Sequence, residues 1–263
     1  MVPGVMALLL LLFLGAPGAA QDGLTAKLLA QGGVTVMSGG ETLAKLSLNA
    51  HGPEWVHADQ ILATAATRAV EGGKLVEGFL PVPNTDGGAI RFAETLQPTE
   101  SGFRVGYRLS FVKAITLNGL QISLLLPATA FSGQRVVLHT VPPEPVEAED
   151  EAAVEAKPQM QTVMLPARLD AGKWQLATLP ALKIEIAPGT ARPITITPRL
   201  PEVAESEAAK PPVFVVQDLR QWEQDVFEVR LVLVMTDEGQ AMAADESLEA
   251  GLELAFADEL TWQ

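Results

Sequence analysis

Apolar and polar residues alternate with a period of two along most of this chain, most plainly over residues 103–127. Val105, Tyr107, Leu109 and Phe111 fall on one side, with Arg108 and Ser110 on the other. After Leu117, Asn118 and Gly119 the alternation resumes through Leu120, Ile122, Leu124 and Leu126. Successive side chains of a strand project to opposite faces, so the pattern predicts two strands joined by a turn. Similar runs occupy residues 24–30, 34–37, 43–48, 75–82, 89–96, 136–139, 174–179, 182–186, 194–196, 213–216, 227–235 and 252–256. Gly32 and Gly33 mark one hairpin, and Asn84, Asp86, Gly87 and Gly88 mark another. Residues 61–70 fit either a helical stripe (Ile61, Leu62, Ala65, Ala69) or a strand, and the strand is preferred.

Some of these strands are apolar on both faces. Leu125 joins the otherwise polar side of its strand, and Val232 and Val234 continue the face begun by Glu228 and Arg230. Strands covered on both sides belong in the middle of a two-layer stack. The expected fold is all-β: a single large antiparallel β-sandwich, supersandwich-like, over residues 21–263, with the pair at 103–127 as its central hairpin. Residues 142–158 and 198–212 break the pattern with Pro, Glu and Ala and predict flexible acidic loops.

The amino-terminal stretch changes the picture of where the protein resides. An apolar run from Val5 to Leu14 is followed by small residues and then by Gln21 and Asp22, the layout of a signal peptide cut near Ala20. A membrane span needs roughly 20 apolar residues, more than this run supplies. The sequence has no cysteine and no Asn-x-Ser/Thr acceptor, so disulfides and thiolate chemistry are excluded. Together these features predict a bacterial periplasmic or secreted protein without a membrane span once the signal is removed. The formal charge of −14 argues against nucleic acid as a partner. Much of that charge sits in the two acidic segments, which lack the Asp/Asn alternation of a calcium loop.

Two clusters carry candidate chemistry. His51, Glu54 and His57 have donor atoms that suit zinc or iron, but Gly52-Pro53 forces a turn between them. The preferred reading is a polar loop with Trp55 packed at a sheet end, and no metal or cofactor is expected. Asp218, Arg220 and Trp222 follow a strand. On an extended segment Asp218 and Arg220 share a face and can clamp a pair of sugar hydroxyls, with Trp222 as a platform for the ring. The competing reading is a structural ion pair beside a core tryptophan. No Gly-x-Ser-x-Gly elbow and no phosphate- or dinucleotide-binding glycine motif occurs. The paired carboxylates of a glycosidase cannot be picked out from the chain.

Residues 102–111 and 120–127, continuing through Phe131-Ser132-Gly133, with 217–222 and 227–231, carry a resemblance. They resemble the large galactose-mutarotase-like β-sandwich domains that accompany glycoside hydrolases in bacterial secreted proteins. The resemblance spans residues from about Leu75 to Phe256 and implies a carbohydrate context, with hydrolytic residues on a separate domain. It transfers no catalytic residue to this chain. Three functions stay open: a non-catalytic module that binds carbohydrate or an envelope protein partner, an enzyme of mutarotase, lyase or glycosidase type, and a structural envelope protein. The first is preferred, because no catalytic constellation is evident. A concave face with clustered His, Arg and carboxylates would favour the second.

Overall fold

The computed structural model describes residues 23–140, 159–199 and 211–263. The predicted signal peptide, the acidic segment at 142–158 and residues 200–210 of the second acidic segment lie outside the described residues. Seventeen strands account for nearly all the regular structure. They are β1 (Leu24–Leu28), β2 (Val34–Ser38), β3 (Glu41–His51), β4 (His57–Asp59), β5 (Thr64–Val70), β6 (Gly73–Pro81), β7 (Ala89–Thr99), β8 (Gly102–Phe111) and β9 (Ile115–Pro127). After one helical turn, Ala128–Phe131, come β10 (Arg135–Thr140), β11 (Gln159–Met164), β12 (Gln175–Ile186), β13 (Ile194–Arg199), β14 (Val213–Asp218), β15 (Val226–Met242), β16 (Ser247–Phe256) and β17 (Leu260–Trp262). Residues 61–70 thus contain a strand, as their alternation suggests, preceded by a 3₁₀ turn at Gln60–Leu62.

The strands form two layers. The first, the cleft sheet, runs β17-β1-β2-β3-β9-β15-β14-β12, with β4 paired to the end of β3 on the same side as β2. The second, the back sheet, runs β5-β6-β7-β8-β16-β13-β12-β10-β11. All pairings are antiparallel except β1 with β17. One continuous apolar core lies between the layers: Leu48, Ile122, Leu231 and Phe214 come from the cleft sheet, and Phe92, Leu109 and Leu254 from the back sheet. Strand β12 belongs to both. Its first half pairs with β14 and its second with β10 and β13. The change falls at Pro180, which has no N–H to give to a ladder. The runs at 174–179 and 182–186 are therefore one strand that crosses between layers.

The central hairpin expected at 103–127 does not form. β8 pairs with β7 and β16 in the back sheet, while β9 pairs with β3 and β15 in the cleft sheet. Residues 112–114 carry the chain from one layer to the other, and Leu117, Asn118 and Gly119 lie inside β9 instead of in a turn. The Asn118 amide donates to the carbonyls of Thr236 and Asp237 at 2.8 and 3.0 Å. It thereby closes the irregular step of β15 between Met235 and Gln240. Alternation reveals which face a side chain takes, but not which strand lies alongside.

Between the layers sits a buried polar network. The Glu94 carboxylate, on β7, is fully buried and accepts from the Gly33 N–H at 3.0 and 2.9 Å and from Gln60 Nε2 at 2.6 Å. Gln60 Oε1 in turn accepts from the Leu48 N–H at 2.7 Å and from the Tyr107 hydroxyl at 3.1 Å. Leu48 needs this partner, because β2 pairs with β3 only up to Leu46 and the pairing of β3 with β4 begins at Asn49. Gly33 has φ +75°, and a Cβ there would meet the Leu46 carbonyl at 2.6 Å, so only glycine can bring its N–H to the carboxylate. Burial raises the pKa of Glu94, against the opposing pull of its hydrogen bonds to Gly33 and Gln60. Replacing Glu94 by Ala leaves buried donors without an acceptor and opens a cavity, at a cost of about 4 kcal/mol in urea unfolding. Glu94→Gln, which keeps the volume, loses about half as much. A loss below about 1 kcal/mol for Glu94→Ala would show that the layers hold together without this network.

Candidate functional site

The outer face of the cleft sheet is unusually polar at its centre, and register explains why. Ser47, Asn49 and His51 of β3 lie beside Ser123, Gln121 and Gly119 of β9. Ser123 and Leu125 lie beside Arg230 and Glu228 of β15, and Glu228 faces Gln217 of β14, which faces Gln175 of β12. Each strand sends alternate residues to this face, while its apolar partners, such as Leu48, Ile122 and Val229, enter the core. The polar row floors a cleft of about 770 Å³. Its walls are Trp55 on the β3–β4 connection, Trp174 before β12 and Trp222 after β14.

Hydrogen bonds organise the floor. His57 Nε2 lies 3.2 Å from Asn49 Oδ1, and the Asn49 amide donates to Ser47 Oγ at 3.2 Å. Ser123 donates to Glu228 Oε1 at 2.5 Å. With its amide oriented to suit its neighbours, Gln217 donates to Glu228 Oε2 at 3.2 Å and accepts from Arg230 Nη2 at 2.9 Å. Arg230 Nη1 completes the group 3.7 Å from Glu228. Burial lowers the pKa of Arg230, against the attraction of Glu228. Two buried floor atoms, His51 Nδ1 and Arg230 Nε, have no hydrogen-bond partner among the described residues. The His51 pKa is lowered to about 4, first by burial and then by repulsion from His57 and Arg230, so its ring is neutral near pH 7.

The aromatic walls are held in place by local geometry. Glu54 and Trp55 both have left-handed backbones, with φ 64° and 58°. Such a conformation costs roughly 1–2 kcal/mol per residue and persists only where the surroundings enforce it. The Trp55 ring packs edge-on to His51, with centroids 5.4 Å apart, and His51 lies 5.1 Å from the His57 ring. Gly119 makes room for them, since a Cβ there would lie 2.9 Å from His51 Nδ1 and 3.3 Å from the Trp55 ring. Across the cleft, Trp222 ends a 3₁₀ turn whose next residue, Glu223, is also left-handed at φ 61°. Trp222 meets Trp174 edge-on at 5.2 Å and remains 49 % exposed.

The structure places the predicted residues as follows. Asp218 closes β14 and caps the 3₁₀ turn Leu219–Trp222, so the segment carrying Arg220 is helical, not extended. Arg220 donates twice to Asp218, at 2.8 and 2.7 Å, and once to the Pro166 carbonyl at 2.8 Å. Its guanidinium lies 4.7 Å over the Phe227 ring. Asp218 is 1 % exposed and outside the cleft lining, whereas Trp222 is part of that lining. His51 and His57 both line the cleft, while Glu54 is exposed on the turn between them and does not. Sequence reasoning missed Asn49, Gln121, Trp174, Gln217, Glu228 and Arg230. For Asn49, Gln121, Glu228 and Arg230 the signal was polar residues repeating at every second position in strands that are otherwise apolar and central.

No family model matches the sequence, and neither does any curated protein. Among solved structures, the chain is similar to a galactose mutarotase-like protein from Lactobacillus casei ATCC 334. Identity is 10 %, coverage 89 % of this chain and 97 % of that one, and the TM-score 0.52. The fold is that of galactose-mutarotase-like domains. At this identity the likeness to other mutarotase-like sandwiches concerns architecture alone. A 4-alpha-glucanotransferase from Thermococcus litoralis is also similar, at 11 % identity and TM-score 0.49, over 89 % of this chain and 36 % of that one.

The neutral His51 has a measurable consequence on this mutarotase-like scaffold. Its pKa is about 4 when folded against 6.5 as a free side chain, so between those pH values only the unfolded chain binds the proton. Stability from this residue is complete above pH 6.5 and falls as the pH drops towards 4, by on the order of 3 kcal/mol in all. Histidine NMR should show one ring titrating near pH 4, and His51→Asn should flatten the acid limb of the stability curve. A His51 ring titrating near 6.5 would contradict the buried, repelled environment described above.

Proposed function

We propose that this protein is an exported, non-catalytic carbohydrate-binding or accessory module, periplasmic or secreted, and that saccharide occupies the cleft between Trp55 and Trp222. The observation that carries the reading is the composition of that cleft. Planar amides and a guanidinium line its floor, where they suit vicinal hydroxyls, and indole rings stand at its walls, where they suit the apolar faces of sugar rings. Asp218 and Arg220 serve by holding the turn that presents Trp222. Export rests on the apolar run and small residues that precede Gln21.

The absence of catalysis rests on how the ionisable floor groups are engaged. Glu228 is held by Ser123, Gln217 and Arg230, and a neutral His51 is not an imidazolium acid near pH 7. A second reading, an enzyme of the mutarotase, lyase or glycosidase type, draws on His51, His57, Glu228 and Arg230 lining one cleft.

Titration with a panel of mono- and oligosaccharides, followed by tryptophan fluorescence, separates these readings. Saturable binding is expected without reducing-sugar release or faster anomer exchange. Gln121→Ala should weaken binding about tenfold, equivalent to about 1.4 kcal/mol. Turnover that disappears in Glu228→Gln would favour the enzyme, and silence across the panel in every readout would remove the saccharide reading.

A further inference from the structure

The two aromatic walls are too far apart to serve one sugar ring. Trp55 stands beside Gly119 on β9, at the level of His51 on β3. Trp174 and Trp222 stand beyond Gln175 and Gln217, whose row passes through Glu228 and Leu125 to Lys45. From β3 to β14 is three strand steps, roughly 14 Å, and from His51 to Lys45 along β3 is roughly 20 Å. The floor positions at the two walls are therefore set apart diagonally across the sheet by roughly 24 Å of backbone, well over the width of one ring.

Resting on the saccharide reading above, we infer that the cleft accepts a neutral oligosaccharide chain lying diagonally across the strands, with one unit stacked on Trp55 and a later unit on Trp222. The floor between the walls supports this arrangement. Hydrogen-bonding groups are spread along the diagonal, with Asn49 and Gln121 nearer Trp55 and Gln217 nearer Trp222, instead of converging on one point. The Nε of Arg230, buried and without a hydrogen-bond partner among the described residues, lies between them. Lys45 pairs with Asp59 at 3.3 Å and Arg230 with Glu228, and Asp237 also lines the cleft, so the lining carries no excess of Lys and Arg that would favour an acidic sugar. Both walls also carry left-handed residues, at Glu54, Trp55 and Glu223, as strained segments at binding sites commonly do.

The experiment is a chain-length series of neutral gluco- and galacto-oligosaccharides, from monosaccharide to hexasaccharide, titrated by calorimetry against the full protein. Uronic-acid oligosaccharides run in parallel. Affinity should rise at least tenfold from monosaccharide to the longer chains and then level off. Trp55→Ala and Trp222→Ala should each cost about tenfold with the longest chain and remove the length dependence, while the Phe variants restore most of it. Both rings are surface-exposed, and circular dichroism and melting curves confirm that the variants fold.

Equal affinity for monosaccharide and chain, or a loss confined to one of the two tryptophans, would overturn the inference while leaving saccharide binding intact. Tighter binding of the uronic-acid series would overturn the neutral assignment. Failure of every sugar at every length would overturn this inference together with the reading beneath it.

Discussion

The buried carboxylate of Glu94 ties the back sheet to the β3 side of the cleft sheet. It reaches from the back sheet to grip the turn at Gly33, and through Gln60 it grips the centre of β3 at Leu48. Gln60 directly follows β4, so the same contact anchors the far end of the connection that bears Trp55 and His57. Apolar contact between two sheets has no direction of its own, so it orients polar groups less sharply than hydrogen bonds do. Hydrogen bonds to a desolvated carboxylate do have direction. They hold the turn before β2 and the end of the β3–β4 connection over the back sheet, on the side of the cleft where Trp55 stands.

The centre of the cleft follows from the opposite tactic. Strands β3, β9, β15 and β14 are interior to their sheet, so each must cover both faces, yet only one face has a second sheet to cover it. The other is closed by side chains that satisfy one another: Ser47 with Asn49, and Ser123 with Glu228, Gln217 and Arg230. A polar surface already organised by internal hydrogen bonds is rigid before any ligand arrives. Binding to such a surface incurs less side-chain ordering than binding to a loose one.

Strand identity and face were legible in the sequence because a period of two is a local property. The hairpin of β6 and β7 was legible as well, since Asn84, Asp86, Gly87 and Gly88 demand a tight turn. Partnership was not legible where the connection is ordinary. The break at Leu117, Asn118 and Gly119 read as a turn but lies inside β9, and residues 112–114, where the chain crosses between layers, carry no turn signal, so β8 and β9 looked like partners. The aromatic and paired ionic residues at Asp218, Arg220 and Trp222 stood out because they cluster in sequence. The floor did not, because Asn49, Gln121, Gln217 and Arg230 come from four strands and meet only through register.

The parallel pairing of β1 with β17 places Leu24 beside Leu260 and makes the first and last described strands neighbours. The cleft is likewise shared by β3 and β9 from the first half of the chain and β12, β14 and β15 from the second. Such connectivity is slow to assemble, because long loops must close before their contacts reward them. A chain emerging from synthesis has no cleft until its final third has docked, so an intact cleft is itself a report that folding is complete.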